Sequence, residues 1–188
     1  MIPSDDGWIR RTAVIVWLIG LSGAGKTTIG RDVWTQWREQ DPATVFLDGD
    51  ILRDVWGDRL GHDVEGRARN AHRISHLCRV LDEQGINAVA AVLSMFPDWQ
   101  AWNRETFSSY YEVFLDLPME VLKARDPKGI YAAHDRGEMP LVVGCDLEFP
   151  RPPAPDLVLG EDDMQESPSD LAGRILAATG VLAGTEGV

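Results

Sequence analysis

The stretch VIVWLIGLSGAGKTT, Val14 to Thr28, decides the fold. Val14–Ile19 is apolar and rich in β-branched residues, the pattern of a strand buried on both faces. Gly20–Thr27 then fits G-x-x-x-x-G-K-[ST] in full, and a helical pattern runs from Lys26 to Gln40. Glycines let the backbone fold tightly enough for its N–H groups to converge on an anion, and the following helix adds its N-terminal dipole. Gly20, Ser22, Gly23, Ala24, Gly25, Lys26, Thr27 and Thr28 are therefore expected to cradle the phosphates of ATP or GTP. Within that set, Lys26 supplies positive charge and Thr27 a hydroxyl ligand for Mg²⁺.

Working outward, strands are expected at Thr44–Leu47, Ile86–Leu93, Tyr111–Leu117 and Asp156–Leu159. Helices are expected at roughly Asp63–Gln84, Asp98–Ser108 and Met119–Ala124. A last one starts at Ser167 as N-cap with Pro168 behind it and stops at Gly180. Strands alternating with helices predict an α/β protein, three layers deep, with a mostly parallel central sheet. In such sheets ligands bind beyond the carboxyl ends of the strands. The segments there are Gly20–Thr28, Asp48-Gly49-Asp50, Ser94 and Asp116, of which Asp116 can simply end its strand.

The 188 residues fit one domain, with 44% apolar and 26% charged residues as in ordinary soluble proteins. A net charge of −12 argues against nucleic acid or an anionic membrane as partner. Cys78 and Cys145 form no disulfide framework, and no signal-peptide pattern precedes them, so a cytoplasmic location is expected.

Asp48 and Asp50 can divide the work of phosphoryl transfer, one holding Mg²⁺ through water and the other accepting a hydrogen bond from the attacking hydroxyl. Asp-Gly is also a common turn pair. On the helix from Asp63, Arg67 and Asn70 extend the apolar stripe of Ala71, Ile74, Cys78 and Leu81. Either they line a polar cleft, or the first turn overhangs the core. His72 and His76 are four apart but lack a third ligand nearby, so they read as a surface or partly buried pair. Residues 126–148 hold Gly, Pro and little periodicity, which reads as a mobile lid carrying Lys128 toward charged ligands.

Taken together, VIVWLIGLSGAGKTT, FLDGDILR, RARNAHRI, VLSMF, YEVFLDLPMEVLKARDPKGIY, GEM and DLVL resemble, in order, the adenylyl-sulfate (APS) kinase family over roughly residues 14–160. The resemblance implies a P-loop NTPase-type fold, a homodimer, and transfer of the γ-phosphate of MgATP to the ribose 3′-hydroxyl of APS. It implies that Asp50 polarises that hydroxyl with Asp48 in support, and that Lys128 is the lid lysine near the phosphates. Arg53, Arg67, Asn70 and Ser94 would hold the acceptor nucleotide.

The chain also departs from the family. Leu60-Gly61-His62 stands where members have L-G-F, and Val142 stands where a lid phenylalanine helps enclose the adenine of APS. Ser94-Met95-Phe96-Pro97 replaces S-P-F-R. Losing aromatic faces weakens purine stacking by on the order of 1 kcal/mol per ring. Ser94-Met95-Phe96, Trp102-Asn103-Arg104 and Val142-Val143-Gly144 are similar to segments of cytidine diphosphoramidate kinases, which phosphorylate a cytidine nucleotide. A non-catalytic nucleotide-binding module is a further alternative, against which the retained Asp50 and Lys128 count.

Overall fold

A computed structural model of the chain describes residues 12–56 and 60–181. Five strands, β1 (Ile15–Ile19), β2 (Thr44–Asp48), β3 (Asn87–Val92), β4 (Tyr110–Leu115) and β5 (Leu157–Leu159), form one sheet in the order β2-β3-β1-β4-β5. Every pairing is parallel, so the expected sheet is found without an antiparallel member among the described residues.

Alternation along β1 explains the two-sided burial. Val16 and Leu18 face Ile29, Val33 and Trp37 of α1 (Lys26–Gln40) and Leu171, Ile175 and Leu176 of α7 (Pro168–Thr179). Ile15, Trp17 and Ile19 face the other way, onto Ile74 and Cys78 of α3 (Val64–Glu83) and onto Phe107, just beyond α4 (Pro97–Thr106). With period two in the strand and period 3.6 in the helices, one sequence pattern fills both layers. The strand order reverses at β1, whose partners are β3 on one side and β4 on the other. Such a switch point opens a crevice above the strand ends.

Ser167 Oγ accepts from the Asp170 amide at 3.1 Å, and Gly180 takes the left-handed cap, as the punctuation of α7 predicts. Two helices were not legible. Asp48 ends β2 and also caps α2 (Gly49–Val55), so Asp-Gly-Asp is a strand-to-helix junction rather than a loose turn. A Cβ on Gly49 would sit 3.2 Å from Val92 Cγ1, which is why the smallest residue starts this helix beside the sheet.

The second is α6 (Ile130–Asp135), inside the segment read as irregular. At six residues it is too short to display a 3.6-residue period. Gly129, in the left-handed region, turns the chain into it from α5 (Met119–Arg125). Among the described residues, no helix is long and apolar enough to cross a membrane.

Candidate active site

A cleft of about 1140 Å³ lies over the carboxyl ends of β1, β2 and β3. Ser22, Gly23, Gly25, Lys26, Thr27 and Thr28 form its floor after β1. Gly23 and Gly25 have φ of 79° and 100°, which L side chains resist, and Gly25 is the residue from which α1 starts. Gly20 and Ala24 do not line the cleft. Ala24 is fully buried, and a Cβ on Gly20 would meet the Leu115 carbonyl at 3.1 Å, so both are packing positions that hold the loop against β4.

Lys26 Nζ folds back to donate to the Leu21 carbonyl at 2.8 Å. Burial pushes its ammonium down to about 8, with Lys128 adding to that effect while Asp50 and Asp48 oppose it. Thr27 Oγ1 donates to Asp48 Oδ2 at 2.7 Å. The other Asp48 oxygen accepts from the amides of Asp50 at 2.9 Å and Ile51 at 3.4 Å, capping α2. One carboxylate thus fixes both the helix start and the hydroxyl of the phosphate loop.

Asp50 points into the cleft and is ion-paired with Lys128. Partial loss of water there would raise its carboxyl, but the hydrogen bond and charge of Lys128, together with Lys26 and Arg53, hold it below the ordinary carboxylate range. It is therefore an anion that accepts hydrogen bonds rather than a group that stores a proton.

On the opposite wall, Arg53, His62, Arg67 and Asn70 all reach the cleft, so the first turn of α3 lines it instead of overhanging the core. Arg53 Nη1 donates to the carbonyls of Gly61 at 3.0 Å and Leu60 at 3.3 Å. Arg67 Nε donates to the His62 carbonyl at 2.7 Å, and its Nη2 to Leu141 at 3.1 Å. Each guanidinium keeps further N–H donors while bracing the backbone around it. Loss of water, then Arg53 and Arg67, hold the His62 imidazole below its usual range, hence neutral at pH 7. Asn70 is tied at both ends, accepting from Trp56 Nε1 at 3.0 Å and reaching the Gly49 carbonyl at 3.4 Å. Its amide joins α3 to α2.

Ser94 has a φ of 51°, in a region non-glycine residues avoid, at the end of β3. Its hydroxyl accepts from Trp17 Nε1 at 3.1 Å, and its carbonyl accepts from Gln100 Nε2 at 2.8 Å. Trp17 lies on the sheet face under α4, and Gln100 on α4 itself.

The segment after α5 covers the cleft. Tyr131 is buried and its hydroxyl donates to the Ser22 carbonyl at 3.0 Å, tying α6 to the phosphate loop. His134 Nε2 lies 2.9 Å from Asp146, which also accepts from the Val142 amide at 3.2 Å. Val142 is 5% exposed and belongs to the main core while touching the cleft.

Sequence reasoning missed Trp17, Arg125 and Trp99, which also line the cleft. The alternation of β1 could have placed Trp17 on the α3–α4 face. Trp99 had no local signal, because its position depends on how α4 packs against α3.

Residues 12–160 match the family model for adenylylsulphate kinase. The chain is 35% identical over 151 residues to the cytidine diphosphoramidate kinase of Campylobacter jejuni, covering 80% of this chain and 88% of that one. It is 37% identical over 151 residues to the adenylyl-sulfate kinase of Paraburkholderia xenovorans, covering 80% and 84%. The structure of the Mycobacterium tuberculosis APS kinase in complex with AMPPNP and APS superposes with a TM-score of 0.82 at 31% identity, covering 89% of this chain and 98% of that one.

Proposed function

The chain belongs to the adenylylsulphate kinase family, kinases that use ATP to phosphorylate a hydroxyl, and we propose that the hydroxyl here is the ribose 3′-OH of adenylyl sulfate. The observation that carries this reading is the convergence, in one cleft, of the phosphate loop, Asp50 with Lys128, and the Arg53–Arg67 wall.

In this reading the loop amides and Lys26 bind the β- and γ-phosphates of ATP. Asp50 accepts the hydrogen bond of the attacking 3′-hydroxyl and aims its oxygen at the γ-phosphorus. Lys128 leaves Asp50 for the transferring phosphoryl group, where its charge offsets the charge spreading over the equatorial oxygens. Arg53 and Arg67 meet the anionic 5′-group of the acceptor, making a positive pocket in a chain whose net charge is −12. Ser94 contributes its hydroxyl to the same wall. Asn70 acts from behind, by keeping α2 and α3 together.

The Thr27 hydroxyl and Asp48 carboxylate, 2.7 Å apart, form an oxygen-only donor pair that fits Mg²⁺. When bound there, the ion would supply positive charge that offsets the negative charge of the phosphates. A single domain over 1–188, with 126–148 as a lid that moves on binding, completes the proposal. A homodimer working in the cytoplasm is part of the same reading, supported for compartment by two unpaired thiols, Cys78 and Cys145. Sedimentation velocity tests the dimer.

A second acceptor, cytidine diphosphoramidate, is favoured by the wall itself. Val142 and the neutral His62 offer less aromatic surface than a purine sandwich uses, and a pyrimidine needs less. The test is incubation with MgATP and each acceptor in parallel, with detection of ADP and of the 3′-phosphorylated product. Turnover of adenylyl sulfate alone supports the first reading, and turnover of the cytidine nucleotide alone supports the second. Tight ATP binding with neither product defeats both and leaves a binding module.

A further inference from the structure

We infer that Trp99 is a specificity-determining residue of this cleft, the flat surface against which the acceptor's nucleobase packs. The inference rests on the nucleotide 3′-kinase reading and names a base contact within it.

A nucleotide acceptor presents two unlike ends. Its anionic group calls for the arginines, and its planar base calls for a flat apolar surface from which water can be expelled. Alongside the charged groups and aliphatic chains near Asp50, the cleft is lined by His62, Phe96 and Trp17, and Trp99 brings the indole of α4, half-buried, to the same cleft. It stands on the acceptor side, because its ring neighbours His72 and His76 belong to the helix that carries Arg67 and Asn70.

The indole is held in place before any ligand arrives. Three rings meet it at steep angles: His72 at 5.1 Å and 86°, Trp102 at 5.5 Å and 73°, and His76 at 5.8 Å and 75°. His76 in turn stacks on Trp102 at 4.9 Å and on His72 at 4.1 Å. The histidine pair, which has no place in the phosphate chemistry, thus gains a role as a brace. The next residue of α4, Gln100, is 3% exposed and bonded to the Ser94 carbonyl, so the first turn of α4 is pinned to the strand end that the acceptor approaches. A contact surface fixed in this way loses little freedom on binding, the condition under which stacking contributes most.

The test compares wild type, Trp99→Phe and Trp99→Ala for steady-state kinetics with adenylyl sulfate and with cytidine diphosphoramidate. The Ala variant should raise KM for the productive acceptor on the order of tenfold, the Phe variant by much less, and neither should change KM for ATP. Titration of the acceptor without ATP should quench wild-type tryptophan fluorescence more than that of Trp99→Phe. Melting temperatures within a few degrees of wild type show that the variants are folded, and should Trp99→Ala fail to fold, the fluorescence comparison with Trp99→Phe decides. An unchanged acceptor KM in a folded Trp99→Ala enzyme, or equal quenching in both proteins, overturns the inference while leaving the kinase reading standing. Absence of turnover in the wild type with both acceptors overturns the kinase reading first.

Discussion

Lys128, at the start of the covering segment, is ion-paired with Asp50, at the start of α2, 78 residues away in sequence. The two side chains are 54% and 73% exposed, so the pair itself contributes about 0–1 kcal/mol to folding. In the proposed mechanism the same two charges are used separately.

Stability and rate should therefore part company at Lys128. Lys128→Met is expected to lower the melting temperature by no more than a few degrees while reducing kcat on the order of 10²-fold or more. Differential scanning fluorimetry and single-turnover kinetics on the same preparation measure both. A large loss of Tm with near-normal kcat would contradict the assignment.

Asp50→Asn keeps the size of the side chain and removes its charge. ATP affinity should change little, whereas kcat falls on the order of 10²- to 10⁴-fold, the usual range for losing a positioned proton acceptor. Near-wild-type turnover removes Asp50 from the mechanism.

The Lys26 ammonium, pushed down to about 8 by burial, sets a pH dependence with a definite sign. Below that pH the free enzyme holds the proton and offers ATP a cation. Above it the amine is neutral, so ATP affinity should weaken as pH rises from 8 to 9.5. Binding at pH 9 should be accompanied by proton uptake, because the phosphates favour the charged form. Calorimetry in two buffers of different ionisation enthalpy reads that proton directly, and pH-independent affinity across this window would refute the prediction.

Ser167→Ala tests the fold apart from the site. It removes the side-chain oxygen that accepts from the Asp170 amide, a loss of about 1 kcal/mol. In a chain of this size that is about 2–4 °C in Tm, with no change in either KM. A kinetic effect would show that α7 reaches the site through α1.

What could be read from sequence alone had a local cause. The phosphate loop, the caps of α7 and the alternation of β1 follow from rules operating within a few residues. Helices α2 and α6 were hidden because each is under two turns and has a glycine at its start, Gly49 as the first residue of α2 and Gly129 capping α6, which normally argues for a turn. The family resemblance put Arg53 and Arg67 at the cleft, yet the bond of Arg67 to the Leu141 carbonyl depends on a segment 74 residues along the chain. Trp99 required the packing of two helices to be seen at all. Asp48 shows the limit from the other side. Its place beside Thr27 was legible as chemistry, whereas its capping of α2 emerged only with the helix.

The strand order carries a consequence for synthesis. β1 leaves the ribosome first among the strands, but its two neighbours are Asn87–Val92 and Tyr110–Leu115. Gly20 also waits for Leu115, against which it packs. Synthesis must therefore pass Leu115 before the phosphate-loop segment has walls on both sides. Until Asn87–Val92 is made β1 has two open edges, and until Tyr110–Leu115 is made it keeps one, the form of apolar strand most prone to mispairing. The residues proposed to bind nucleotide, encoded early, gain their surroundings late.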